Sequence, residues 1–169
     1  PSSFPASCTR KAEMEDREFQ VYRADLHLHT CLSPCGDWDM TPRAVVEHSV
    51  EKRLDIIAVT DHNTAENAGA AMEKGRSLGL CVFPGLEICS VEEVHVLALF
   101  DTLESALAMQ DFVYGNLKGE NNPDIFGYQV VADAEDQVTD QNPRLLIGAA
   151  SVDLNHLVNH IHDLGGLAV

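Results

Sequence analysis

From Leu54 to Thr60 the chain reads LDIIAVT, an almost unbroken apolar run that stops at Asp61-His62-Asn63. A run of strand length without polar alternation suits a strand buried on both faces, the habit of parallel sheets covered by helices. From Val21 onward, short apolar runs alternate with amphipathic segments, which is the βα pattern of an α/β protein with mostly parallel strands. Thr41-Pro42 reads as an N-cap followed by proline at the first helical position, predicting a helix over 42–53. A second helix is expected over 64–78, with Gly79 as its stop. Strands over 80–83 and 94–100 flank Pro84-Gly85-Leu86-Glu87. A helix then runs from a cap at Asp101-Thr102 to about Leu117, and 118–124 (KGENNPD) is a loop by composition. A hairpin is expected to pair 126–131 with 145–149, and Ser151 to cap a helix that ends at Leu164 before Gly165-Gly166. Ligands of α/β sheets bind in the loops after strands. A strand starting at Leu167 has no such loop, so we expect a domain shortened at its C-terminus.

The 169 residues suit one domain, expected over 20–169, and 45% hydrophobic content is enough to bury a core, which argues against disorder. Residues 1–19 have no apolar central run and read as a flexible lead-in. No apolar stretch approaches the roughly 20 residues that span a bilayer. With 11 Lys+Arg against 27 Asp+Glu the net charge is −16. That balance argues against strong non-specific nucleic-acid binding, whose affinity comes from cations on phosphates. An anionic substrate would then need positive charge from bound metal. Five cysteines, an odd number, fit a reducing, cytoplasmic setting.

The segment Asp25-Leu26-His27-Leu28-His29-Thr30 closes the first expected strand. Side chains two apart in a strand share a face, so His27 and His29 can meet one ion with Asp25 behind them as an acceptor. Ligand-type residues recur at other strand ends: Asp61-His62 after LDIIAVT, Glu87 after CVFPGL, and His95 within EVHVLALF. Histidine with carboxylates suits Zn, Mn or Fe, and a carboxylate such as Glu87 can bridge two ions.

In their order along the chain, D-L-H-L-H-T at 25–30, V-T-D-H-N at 59–63, G-L-E at 85–87, E-V-H-V-L at 93–97 and H-D-L-G-G-L-A-V at 162–169 resemble the PHP (polymerase and histidinol phosphatase) domain phosphoesterases. The resemblance covers about residues 22–169. It implies a distorted (β/α)7 TIM-like barrel, of which this chain holds the first part, with two or three divalent metal ions at the C-terminal ends of the strands. By the same resemblance His27 and His29 are ligands of a first ion, Glu87 bridges it to a second held by His95, and His62 binds a third beside Asp61. Where relatives place a His or Asp as a further third-site ligand, this chain has Pro34-Cys35-Gly36-Asp37, so Cys35 takes that part, or Asp37 does, or the third site is altered and Cys35 is a free buried cysteine. The family's later motifs, a His after the strand at Leu167 and a final Asp-x-His, are absent here.

The implied activity is hydrolysis of a phosphate monoester or nucleotide-type phosphoester through metal-activated water, with Glu87, His62 and Asp61 carrying the chemistry. A small phosphorylated molecule or nucleotide fits the charge better than a long duplex. The alternative is a non-catalytic, metal-binding regulatory module on the same fold. Other candidates carry structural expectations. His48, His156, His160 and His162 lie on helices without metal-motif context, Arg43 reads as a surface residue that could touch phosphate, and Cys81 and Cys89 read as core. Cys31 and Cys35 match no iron–sulfur spacing.

Overall fold

The computed structural model describes residues 20–169, so the lead-in expected over 1–19 lies outside the described residues. The elements are β1 (Ala24–Leu28), α1 (Pro42–Glu51), β2 (Ile56–Val59), α2 (Ala68–Leu78), β3 (Cys81–Cys89), β4 (His95–Leu99), α3 (Leu103–Asn116), α4 (Pro123–Phe126), β5 (Val130–Ala132), β6 (Val138–Gln141), α5 (Leu154–Asp163) and β7 (Leu167–Ala168). The fold is mixed α/β. No helix among the described residues is long and apolar enough to cross a membrane.

One sheet has the order β1-β2-β3-β4-β7. Its first three strands are parallel, as the apolar run at 54–60 leads one to expect, and β4 and β7 are antiparallel to their neighbours. This corrects the expectation of a mostly parallel sheet and of a strand confined to 80–83. Instead β3 runs straight through, pairing with β2 as far as Val59↔Pro84 and with β4 from Gly85↔Leu99 to Cys89↔His95. Proline cannot donate to a ladder, and Pro84 contributes its carbonyl, which accepts from Phe100 N–H. Gly85 permits the close approach of β4: a Cβ there would lie 2.7 Å from the Ala98 carbonyl.

Two cores hold the helices on this sheet. Leu86, Ile88, Val96, Phe100, Met109, Leu157 and Ile161 join β3 and β4 to α3 and α5. Val46, Ile57, Val59, Leu80 and Val82 join α1 and α2 to β2 and β3. Burying each such side chain stabilises the fold by about 1.5–3 kcal/mol. The caps at Thr41, Thr102 and Gly79 form as expected.

Four boundaries differ from expectation. α1 stops at Glu51 because Arg53 takes a positive φ of 60°. α2 begins at Ala68 instead of Thr64, because Asn63, Thr64 and Asn67 spend their side chains on distant partners. α5 is capped by Asp153, whose carboxylate accepts from His156 N–H, and not by Ser151. Residues 130–132 pair with 138–141, so the hairpin expected between 126–131 and 145–149 does not form. The turn at Asp133, Asp136 and Gln137 closes the shorter loop, and the expected 118–124 loop leads into α4 behind an Asn122 cap.

Candidate metal centre

Glu87 is the hub of the site. Its Oε2 lies 3.1 Å from His27 Nε2, 3.0 Å from His29 Nε2 and 3.4 Å from His62 Nδ1, while its Oε1 lies 2.7 Å from His95 Nδ1. Three groups of donor atoms, each within 4.8 Å of one another, share corners: His27–His29–Glu87, His62–Glu87–His95 and His29–Cys35–His62. The residues therefore converge although 68 positions separate His27 from His95 in the chain.

The topology explains the convergence. His27 and His29 come from the C-terminal end of β1 and His62 from just past β2. Asp61 and Asn63 bracket Glu87 through backbone bonds, with Glu87 N–H donating to Asp61 O at 3.1 Å and Asn63 N–H donating to Glu87 O at 2.8 Å. Because β4 runs antiparallel to β3, its first residue, His95, reaches the same end of the sheet. Sequence reasoning put Glu87 after a strand; it lies inside β3.

Beneath the imidazoles lies a buried relay that the sequence did not reveal. Asp61 is fully buried and accepts from Thr30 N–H at 2.6 Å, Thr30 Oγ1 at 2.7 Å and Ser33 Oγ at 2.6 Å. Ser33 has one hydroxyl proton and gives it to Asp61. Its oxygen must then accept from His62 N–H at 3.1 Å and from His29 Nδ1–H at 2.9 Å. The second contact leaves a lone pair on His29 Nε2, which faces Glu87 and His27. An imidazole's free nitrogen is set by what its other nitrogen donates to, and here a serine sets it. The signal available in sequence was weak: a hydroxyl four residues after His29 finds its carboxylate 28 residues further on.

Burial pushes the His29 and His62 pKa values below the ordinary imidazole value, against the opposing pull of Glu87. Burial pushes Glu87 upward, but the imidazoles around it outweigh this and hold its carboxyl below the usual range. Burial raises Asp61, opposed by its hydrogen bonds from Ser33 and Thr30. Neutral imidazoles beside an ionised carboxylate form a donor set for divalent transition metals.

The remaining candidates lie as follows. Cys35 is an exposed free thiol within the third group, raised in pKa by burial of its sulfur. Asp37 is exposed and belongs to no such group among the described residues. Asp25 accepts from the His27 backbone N–H at 3.3 Å, not from an imidazole. Arg43 pairs with Glu47 and Asp136. His48 bonds its own helix at Ala44 O, His160 stacks on Phe112 at 4.0 Å, and His162 is exposed. Cys81 and Cys89 are buried in β3.

A carboxylate ringed by four imidazoles at one end of a mixed sheet defines a protein built around a candidate metal centre. The chain belongs to the PHP domain family, whose model matches residues 25–164. It is 37% identical over 107 residues to the 5′-3′ exoribonuclease Rnm of Salmonella typhimurium, covering 60% of this chain and 35% of that protein. It is 32% identical over 80 residues to the phosphoribosyl 1,2-cyclic phosphate 1,2-diphosphodiesterase of Eggerthella lenta, covering 44% and 29%. The chain thus spans about a third of the length of these curated relatives. The lesion-specific endonuclease PfuEndoQ of Pyrococcus furiosus shares the fold, with a TM-score of 0.59 at 16% identity over 88% of this chain and 34% of that one.

Proposed function

We propose that the chain is the metal-binding part of a phosphoesterase that hydrolyses a phosphate monoester or nucleotide-type phosphoester. The observation that carries this reading is the convergence of His27, His29, His62 and His95 on Glu87. The donor set fits divalent metal, since His29 is held as a lone-pair donor and no lysine or arginine competes for Glu87 among the ion pairs of the described residues. Membership of a family whose relatives carry phosphodiesterase and exoribonuclease names supports the reaction class.

His27, His29 and Glu87 would hold one ion, Glu87 and His95 a second, and His62 with Cys35 a third. Divalent ions at such a centre supply an activated water near neutral pH and neutralise charge on a phosphoryl group. Glu87 offers one oxygen to each side of the cluster. Ser33 orients the His29 ring and anchors the His62 backbone, and Asp61 acts through Ser33 and Thr30 as a positioning residue. A chain of net charge −16 has few cations of its own to attract phosphate, so the electrostatics of substrate binding rest on the centre. The sheet and its helices are the first part of a distorted (β/α)7 barrel in this reading, with residues 20–169 as one domain of a cytoplasmic enzyme.

The test is elemental analysis for Zn, Mn and Fe on the purified protein, together with phosphate release from simple esters with added Mn. We expect at least two ions per chain, and expect H29A and E87Q to lose metal and activity together. No bound metal under any loading condition would overturn the reading. Full loading with no hydrolysis in the complete protein would favour a regulatory module.

A further inference from the structure

The chain has one tryptophan, and neither hydrophobic core takes it. Trp38 stands 65% exposed and meets Tyr128, itself 50% exposed, edge to face with ring centroids 5.6 Å apart. Trp carries the largest apolar surface of any side chain and is highly buried on average. An exposed aromatic pair therefore calls for an occupant.

Both rings are mounted on the frame of the metal centre. Trp38 sits three residues after Cys35, within about 11 Å of chain, and Cys35 lies in the donor group with His29 and His62. The loop that carries both is closed by Cys31 N–H donating to Met40 O at 2.7 Å. It is also packed so tightly that a Cβ on Gly36 would clash with the Thr30 carbonyl. Tyr128 comes from the segment between α4 and β5, which is tied to the same loop: Val130 N–H donates to Cys31 O at 3.2 Å, and Asn67 binds Thr30 Oγ1 and Val130 O at once. The ring spacing leaves no slot between the two aromatics. A flat ligand would lie on the open face of one ring while the other braces its edge.

We infer that Trp38 and Tyr128 form a stacking platform for the base of a nucleotide whose phosphate reaches the metal centre. The inference rests on the phosphoesterase reading and names the substrate class within it. Base–aromatic stacking needs no positive charge and tolerates any base. It is thus the means of holding a nucleotide that remains open to an acidic chain, for which phosphate contacts through lysine and arginine are scarce. Tyr128 also lines a recess of about 200 Å³ with Asn121, Gln129 and Asn142, which gives the platform a polar border.

Trp38 reports on the platform directly, because the whole tryptophan emission comes from it. Adenosine 5′-monophosphate and ribose 5-phosphate are titrated separately into the metal-loaded protein. Quenching by the nucleotide, with no quenching by the sugar phosphate at the same concentrations, is the expected result. Y128A should weaken the nucleotide titration on the order of 10- to 100-fold, and Y128F should restore most of it, which guards against an effect of misfolding. Equal response to both probes, or response to neither, overturns the inference. So does emission that changes with protein concentration alone, because the pair would then be covered by a second copy. Binding is read without turnover, so the two readings fail separately. Hydrolysis without nucleotide quenching sinks the platform alone, and quenching in a protein that binds no metal sinks the phosphoesterase reading alone.

Discussion

At the scale of single residues, Ser33 is the position on which most depends for its size. It gives its proton to Asp61 and receives one from His29 and one from the His62 backbone. In S33A the His29 ring loses the partner that selects its tautomer, and Asp61 loses one of three donors in a fully buried place. Losing such an orienting partner typically costs 10–100-fold in metal affinity, and we expect a drop on the order of 10-fold or more by competitive chelator titration. An S33T variant that keeps the hydroxyl should recover part of it. The buried imidazoles also make a pH signature. With folded pKa values of His29 and His62 below the free value of 6.5, the unfolded chain takes up protons first as pH falls. The sign of the linkage is then that stability contributed by these neutral rings is complete above about pH 6.5 and declines below it. Thermal melts of metal-free protein from about pH 7.5 to about pH 5.5 should show Tm falling, and H62Q should flatten part of that slope. A slope unchanged in H62Q would remove His62 from the account.

At the scale of elements, the excursion between α3 and α5 is the feature that sequence patterning described least well. It folds back over the strand-end loops by way of two asparagines. Asn63 donates to Leu146 O and Gly148 O at 2.8 and 2.7 Å. Asn67 donates to Thr30 Oγ1 and Val130 O and accepts from Ala132 N–H. Asn63 holds a positive φ of 56°, a conformation asparagine tolerates better than most residues. Removing the Asn67 amide leaves buried partners without hydrogen bonds, at about 1–3 kcal/mol for each unsatisfied group. We expect N67A to destabilise the protein by about 2–4 kcal/mol in denaturant melts, with amide exchange speeding up in β5 and β6 first. Exchange that instead rises evenly through the sheet would show that Asn67 is not specific to the strap. The sequence pattern placed the strand β2, the caps at Thr41 and Thr102 and the Gly79 stop because these are local. The hairpin register and the late start of α2 depend on partners tens of residues away.

At the scale of the whole molecule, a net charge of −16 on 169 residues is a standing self-repulsion. Salt shortens the Debye length from about 30 Å at 0.01 M to about 3 Å at 1 M. The metal-free protein should therefore gain Tm between low and high NaCl, with about 2–4 °C expected for each kcal/mol relieved. Divalent ions should produce a larger rise at far lower concentration, because in the proposed reading they bind Glu87 and its imidazoles directly as well as screening. A Tm unmoved by NaCl would mean the acidic groups are too dispersed to repel one another appreciably.

The sequence by itself determined the α/β class, the position of His27, His29 and His62 at strand ends and the family resemblance. Those follow from apolar run lengths, side-chain alternation and short motifs, all of which act over a few residues. Only the tertiary structure decided that β4 turns antiparallel and so returns His95 to Glu87, and that Asp61 lies beneath the imidazoles with its oxygens taken up by Thr30 and Ser33. It also decided that Trp38 and Tyr128 meet across 90 positions. Strand direction and long-range hydrogen bonds are settled by which buried groups can be satisfied at once, and that is a property of the packed chain.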